Sequence, residues 1–417
     1  MTTKLPGSVS SGKVCPELEV LLICATTLVS AERVDRLKIL LQENIDWESL
    51  LKKATQHKLM PLLYYNLSSI CPGLVPKAIL TKLKIDFHYH TRHCLLLCGE
   101  LVRLLYLFEE QGISVLPFKG PALAASAYGN LLLRQFGDLD ILVHAEDIER
   151  AKALFLAQGY RMKIERIKLT PEQEEIFVRS PHIYHLVREA AYPFIHPQKE
   201  VIVELHWGVM PKYFAYPIDD QTLWEDLELV TIAGKSVPYL SPENALLTIV
   251  GHGTKECWTE LNRISDVAEH IRSHPQLDWV KLIEKSRLKG GQRMLFLSLM
   301  LVHNLFSTPL PENVLQQIQA DPEVKLLADQ VCDRLFFNQR HNSVTSGFTT
   351  RFHLKVRERI QDKIQYFYKI AVTPTTSDWL LLPRAEFPTF VYYLLRPIRL
   401  IGTQIGKFFP NMSEGQK

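Results

Sequence analysis

The chain has 417 residues, 47% of them hydrophobic and 22% charged, which is enough to bury a sizeable core in two or three domains and excludes a small disulfide-stapled module. Its 48 Lys and Arg against 45 Asp and Glu leave a net charge of +3, so no whole-molecule field draws in nucleic acid or anionic lipid, and any basic site must be local. Seven cysteines, odd in number and without a C-x-x-C pair, fit reduced thiols in a cytoplasmic protein better than a disulfide framework.

Residues 1–14, rich in Ser, Gly and Lys, read as a disordered tail and lack the apolar stretch of a signal peptide. Nor does any window supply the roughly 18 uncharged apolar residues of a transmembrane helix. Over residues 15–112 apolar side chains recur at helical spacing, through Leu18, Leu21 and Leu22 to Leu37, Leu40 and Leu41. This predicts an N-terminal helical region, closed by Gly112. The period then changes: a strand is expected from Ile113 to Phe118, a short helix opened by Pro121, and a second strand from Gly137 to His144. Next comes an amphipathic helix with an acidic first turn, ending at Gly159. Three further runs read as strands: RMKIERIKL (161–169), HIYHLVRE (182–189) and VIVELHWGV (201–209). The Pro-containing AYPFIHPQKE (191–200) reads as the connection before the last of them. Residues 113–240 are therefore expected to form a mixed β-sheet core, making the protein α+β.

At Ser241-Pro242-Glu243 the helical period returns, and residues 241–417 are expected to form a C-terminal helical region broken at Gly290-Gly291. Its apolar, basic end (389–409) is expected to dock on the body, with membrane contact as the alternative. Pro397 and Gly402 are expected to interrupt a long amphipathic face.

The chemistry concentrates in the core. Side chains of a strand alternate, so in GDLDILVH Asp138 and Asp140 project from one face while Leu139 and Ile141 point the other way. Like charges so close raise one another's proton affinity unless a cation lies between them, and magnesium, which takes oxygen ligands from one or two carboxylates plus substrate phosphates, meets that need. In VIVELHW the same alternation puts Glu204 and His206 on one face. If the two strands are neighbours, Glu204 is a third carboxylate beside the pair, and three carboxylates could hold two metals in the arrangement for in-line displacement. His206 is then either an outer partner of a metal-bound carboxylate or a hydrogen-bonded core histidine. A strand ending in Lys119-Gly120 and turning into a helix can present N–H groups to a phosphate, with Lys119 either binding it or neutralising the aspartates. Arg134, four positions before Asp138, is in reach of a phosphate oxygen. The histidine pair His182 and His185 falls on opposite strand faces with no fourth-ligand partner nearby, which argues against zinc.

The run FKGPALAASAYGNLLLRQFGDLDILV, with Gly159-Tyr160 and the Glu-Leu-His-Trp of residues 204–207, resembles the uncharacterised nucleotidyltransferase family of bacteria, within the polymerase-beta-like nucleotidyltransferase superfamily. Weaker likeness extends to His57, Pro61 and Leu62, to His252, Trp258, Leu261 and Asp266, and to Leu395-Arg396-Pro397. The resemblance implies a nucleotidyltransferase fold flanked by helical regions, with Asp138 and Asp140 as metal ligands, Glu204 as the third acid, and Mg²⁺ or Mn²⁺ as cofactor. It further implies a nucleoside triphosphate (such as ATP) as substrate, which Lys119, Gly120 and Arg134 are expected from their placement to seat. Lys119-Gly120 stands in place of the superfamily's Gly-Ser turn, 138 − 120 = 18 positions before Asp138. The acceptor is expected to be a small molecule or protein hydroxyl rather than nucleic acid, since no basic strip leads to the acidic strands. The alternative is a non-catalytic nucleotide-binding or regulatory protein on a degenerate form of the same fold.

Overall fold

The computed structural model describes residues 15–163, 170, 172–173, 191–211, 214, 216, 218, 221–288, 290–336, 346–382 and 388–408. The expected tail (1–14), the HIYHLVRE strand with its two histidines, and most of RMKIERIKL lie outside the described residues.

Four short helices come first: α1 Pro16–Ile23, α2 Ala31–Gln42, α3 Trp47–Gln56 and α4 Met60–Ile70. Local chemistry starts several of them. Pro16 sits in the first turn of α1, Ser30 Oγ accepts from Arg33 N ahead of α2, and Asp46 Oδ1 accepts from Ser49 N at 3.0 Å ahead of α3. Helix α5, Lys77–Glu110, runs for 34 residues, about 50 Å, and Gly112, two residues past its end, turns the chain with φ +60°.

The sheet follows. Strand β1 is Val115–Pro117, α6 is Gly120–Leu123 continued by a wider π turn over Ala124–Tyr128, β2 is Leu139–Val143, and α7 is Ile148–Ala157. Strands β3 Arg161–Met162, β4 Ala191–His196 and β5 Val201–His206 complete a five-stranded mixed sheet in the order β1-β2-β5-β4-β3. β2 and β5 are parallel, and the other neighbours are antiparallel.

AYPFIHPQKE is thus not merely a connection: its first six residues are β4, hydrogen-bonded along the whole of β5. Proline does not forbid this here. Pro193 O accepts from Lys163 N at 2.8 Å, on the β3 side. A residue's N–H and C=O point to the same side of a strand, so the donor that Pro193 lacks is missing towards the short edge strand and not from the β5 ladder.

A hairpin that the sequence reading did not separate follows, β6 Glu228–Ile232 and β7 Lys235–Tyr239. Its two-residue turn has φ +48° at Ala233 and +83° at Gly234, the primed geometry that matches strand twist.

The C-terminal region is helical. It comprises α8 Pro242–Lys255, α9 Leu261–Ser273, α10 Trp279–Leu288, α11 Gln292–Phe306, α12 Glu312–Gln319, α13 Pro322–Phe336, α14 Ser346–Lys355, α15 Ile360–Val372, the short α16 Thr376–Trp379 and α17 Thr389–Phe408. Gly290 and Gly291 fall between α10 and α11, as expected.

Pro397 does not end α17. The helix is held from one side by buried Tyr392 and by Arg396 and Arg399, which both pair with the buried Asp378. The hydrogen bond that Pro397 removes would have gone to Tyr393, on an exposed turn where water can replace it. The opposite face carries exposed Phe390, Leu394, Ile398 and Ile401. Among the described residues no helix is long and apolar enough to cross a membrane.

Two cores hold the molecule. One joins α1–α4 to α8–α14, so the N-terminal and C-terminal helices share a single apolar interior. The other fills the space between the sheet, the second half of α5, α7 and the β6–β7 hairpin. α5 contributes Leu83 to the first and Leu97 through Phe108 to the second, tying them together.

Candidate active site

On β2 the side chains at odd positions, Leu139 and Ile141, are buried in the core beneath the sheet, which turns Asp138 and Asp140 to the other face. Asp140 is only 4% exposed. Strand β5 lies alongside with Glu204 in register against Asp140 and His206 against Leu142, while Val203 and Leu205 fill the core. Acidic groups 204 − 140 = 64 positions apart in sequence therefore meet on one sheet face.

His206 is within the cluster. Its Nε2 lies 3.2 Å from Asp140 Oδ1 and 3.3 Å from Glu204 Oε2, and the edge-on ring of Phe118 packs against it with centroids 4.9 Å apart. Burial opposes charge on this imidazole, but hydrogen bonds to the two carboxylates outweigh it and raise its proton affinity. Asp140, Glu204 and His206 each offer a ligand atom, all within 4.8 Å of one another; Asp138 stands outside that tight group.

Lys119 supplies the positive charge. Its ammonium pairs with Asp140, and Phe118 N donates to Asp140 O at 3.3 Å, pinning the end of β1 to β2. Burial penalises the ammonium, yet Asp140, Glu204 and Asp138 together raise its pKa. Conversely, Lys119 and His206 hold Asp140 below the usual carboxylate range in spite of its burial, and His206 lowers Glu204. Asp138 goes the other way: burial first, then repulsion from Asp140, push it up to about 6. The two aspartates thus differ in proton affinity, as expected of like charges that cannot ionise independently.

Gly120 lies where only glycine fits well. Its φ is +53°, and a Cβ there would stand 3.0 Å from the backbone oxygen of Asp138, so the turn after β1 lies directly against the acidic strand.

Arg134 reaches the same cleft but is already engaged. Its guanidinium makes a bidentate pair with Asp266 on α9 at 2.8 and 3.0 Å, and Tyr128 Oη donates to the same carboxylate at 2.8 Å. Asp266 therefore braces α9 against the sheet core. His252, on α8, faces Phe118 with centroids 6.2 Å apart and is kept neutral, chiefly by burial and then by Lys119.

Lys119, Gly120, Arg134, Asp138, Asp140, His252 and Asp266 line an open cleft of about 940 Å³, within the size range of small-molecule sites; Glu204 and His206, which meet Asp140 across the β2–β5 pairing, do not form part of its wall. One wall carries Lys119, Gly120, Asp138 and Asp140; the others come from both helical regions, with Phe87, Tyr89 and His90 on α5, and Lys255, Asn262 and Arg263 at the junction of α8 and α9. Sequence reasoning assigned no role to these last three. They lie 255 − 206 = 49 positions or more beyond the end of β5 and form no local motif; only the shared core of the two helical regions brings them here.

The donor set suits a divalent cation. Carboxylate oxygens predominate, they converge, and a lysine ammonium already balances them; magnesium or manganese fits such oxygen-rich sites, and the imidazole fits the role of orienting the ligating carboxylates.

A family model described as uncharacterised nucleotidyltransferase matches residues 43–307, a span that includes every residue of the cleft. No curated protein matches the chain.

Proposed function

The chain belongs to the uncharacterised nucleotidyltransferase family, and we propose that it transfers a nucleoside monophosphate from a nucleoside triphosphate to an acceptor hydroxyl, releasing pyrophosphate. The observation that carries this reading is the in-register pairing of Asp140 with Glu204 on adjacent parallel strands, with a lysine ammonium on the acidic cluster. Asp138, Asp140 and Glu204 are the proposed holders of Mg²⁺ or Mn²⁺. Bound there, the ion would neutralise triphosphate charge and polarise the phosphoryl group under attack. Lys119, Gly120 and Arg134 line the side of the cleft where the triphosphate would enter.

In the reaction the acceptor oxygen forms a bond to the α-phosphorus while the bond from that phosphorus to the α–β bridging oxygen breaks, and pyrophosphate leaves with the electron pair. The hydroxyl proton passes to a carboxylate. The carboxylate nearest the acceptor is the proposed base.

The acceptor is proposed to be a small molecule or a protein, and the site of action the cytoplasm, where triphosphate is available and the seven cysteines, all free, stay reduced. Isothermal titration with each of the four ribonucleoside triphosphates, with and without magnesium, tests the reading. Metal-dependent binding that Asp138→Ala abolishes supports it; absence of binding, or binding indifferent to metal, rejects it. Incubation with triphosphate and cell extract, read by mass spectrometry as a nucleotide-sized mass gain, then identifies the acceptor.

A second reading, a nucleotide-binding regulatory protein without turnover, is favoured by one feature: Pro121 follows Gly120, so the turn has no hydroxyl for a phosphate, and Lys119 is taken by Asp140. Binding without any acceptor labelling would select it.

A further inference from the structure

We propose that the corner between α8 and α9 is the seat of the triphosphate tail, with Lys255 and Arg263 holding its β- and γ-phosphate oxygens and the Asn262 amide beside them. The inference rests on the transferase reading above and assigns the part of it that the turn after β1 cannot supply. Pro121 N carries no hydrogen, Lys119 is held on the buried Asp140, and Arg134 is locked in a bidentate pair with the buried Asp266, whereas Lys255 and Arg263 each make a single longer contact, at 3.3 Å, to a carboxylate beside them.

The corner has the charge a phosphate chain needs. Lys255 pairs with Glu256 at 3.3 Å, while Lys58 and Arg263 share Glu260 at 3.1 and 3.3 Å. Three cations thus face two carboxylates, leaving a net positive charge opposite the acidic strands. The thirteen-residue α9 begins here, adding the positive end of its dipole.

It also has unpaired polar atoms. Asn262 is 9% exposed, and its Oδ1 is buried without a hydrogen-bond partner, as are Arg263 Nε, His252 Nε2 and Gln135 Oε1; all four residues line the cleft. Unpaired polar atoms in a buried setting are unfavourable, so a ligand whose binding lets these side chains turn and pair gains from that arrangement. The mixture of donors and acceptors suits a hydroxyl-bearing and phosphate-bearing molecule better than a bare anion.

The corner is rigidly built. Cys257 and Trp258 both have φ +53°, two successive left-handed residues that reverse the chain between the helices. The ring of Trp258 folds back onto α8 so closely that a Cβ on Gly253 would lie 2.3 Å from it. On the far side Leu261 N donates to His57 Nδ1 at 3.4 Å, and the Arg134–Asp266 pair holds α9 to the sheet. Lys255 and Arg263 therefore face the carboxylates from a fixed position.

The test uses the full chain with MgCl2 and measures Kd for each of the four ribonucleoside triphosphates, for the matching monophosphate and for inorganic pyrophosphate. Lys255→Gln and Arg263→Gln should each weaken triphosphate and pyrophosphate binding tenfold or more while changing monophosphate binding less than twofold; Lys255→Arg and Arg263→Lys should recover most of the loss. Equal triphosphate Kd for wild type and the glutamine variants overturns the inference while leaving the transferase reading intact, provided Asp140→Asn abolishes that binding. Loss of monophosphate and triphosphate binding in equal measure, without recovery in the conservative variants, also overturns it, because the corner would then be acting on the fold. Failure of the wild-type protein to bind any triphosphate overturns the transferase reading and this inference with it.

Discussion

Replacing Lys119 with methionine separates the two cations that the acidic cluster can use. The ammonium pairs with Asp140, whose side chain is 3% exposed, while the lysine side chain is 24% exposed. Removing one partner of a buried pair costs about 3–5 kcal/mol; the partial exposure of Lys119 and the remaining hydrogen bond from His206 to Asp140 put the cost at the lower end, about 3 kcal/mol. Magnesium bound to the same carboxylates at a hundred times its Kd returns about 2.7 kcal/mol. Urea unfolding of wild type and Lys119→Met in EDTA should therefore show the variant less stable by about 3 kcal/mol, and magnesium should close most of that gap. Wild type gains less from magnesium, since there the ion must compete with the ammonium. A variant as stable as wild type in EDTA, or equal magnesium stabilisation of both, would refute the idea that ammonium and metal share these carboxylates.

Asp266→Asn strips the charge that compensates a largely buried Arg134 and should lower unfolding stability by about 3 kcal/mol, with a matching rise in the Kd for triphosphate as α9 loosens from the sheet. In Gly120→Ala the added Cβ meets the Asp138 oxygen at 3.0 Å on a backbone with φ +53°; a loss of about 2 kcal/mol and of magnesium-dependent binding is expected, read by thermal melting and titration. Glu100 on α5 accepts from Arg103, Tyr160 and Lys199. Burial opposes its ionisation, but these partners bring its pKa from 4.5 down to about 2. A folded-state pKa below the unfolded one means that the stabilisation is present above pH 4.5 and lost as pH falls from there towards 2. Glu100→Gln should therefore cost about 2 kcal/mol at pH 7, discounted for the partly exposed Arg103 and Lys199. The difference from wild type should shrink steadily below pH 4.5; a difference independent of pH would remove the ion pair as its cause.

Much of the candidate site was legible because it is local. The alternation that turns Asp138 and Asp140 to one face needs only neighbouring residues, as does the placement of Glu204 and His206 together on β5. The helix starting at Pro242 and the stop at Gly159, φ +81°, were signalled in the same way. β1 and β2 came out one or two residues shorter at each end than expected, and β5 ended three residues early, at His206, because pairing rather than propensity sets strand ends. Segment 191–196 was misread for a related reason: proline argues against a strand in general, and only the side of the ladder it faces decides whether it is tolerated.

The sequence by itself determined which elements form and which way their polar side chains face, since periods of two and of 3.6 residues are written in adjacent positions. Tertiary structure alone decided that β2 and β5 lie side by side, that Arg134 is committed to a carboxylate 132 positions away, and that the two helical regions share one interior and so bring Lys255, Asn262 and Arg263 opposite the acids. Such pairings depend on which distant surfaces bury the most apolar area together, and no window of neighbouring residues carries that information.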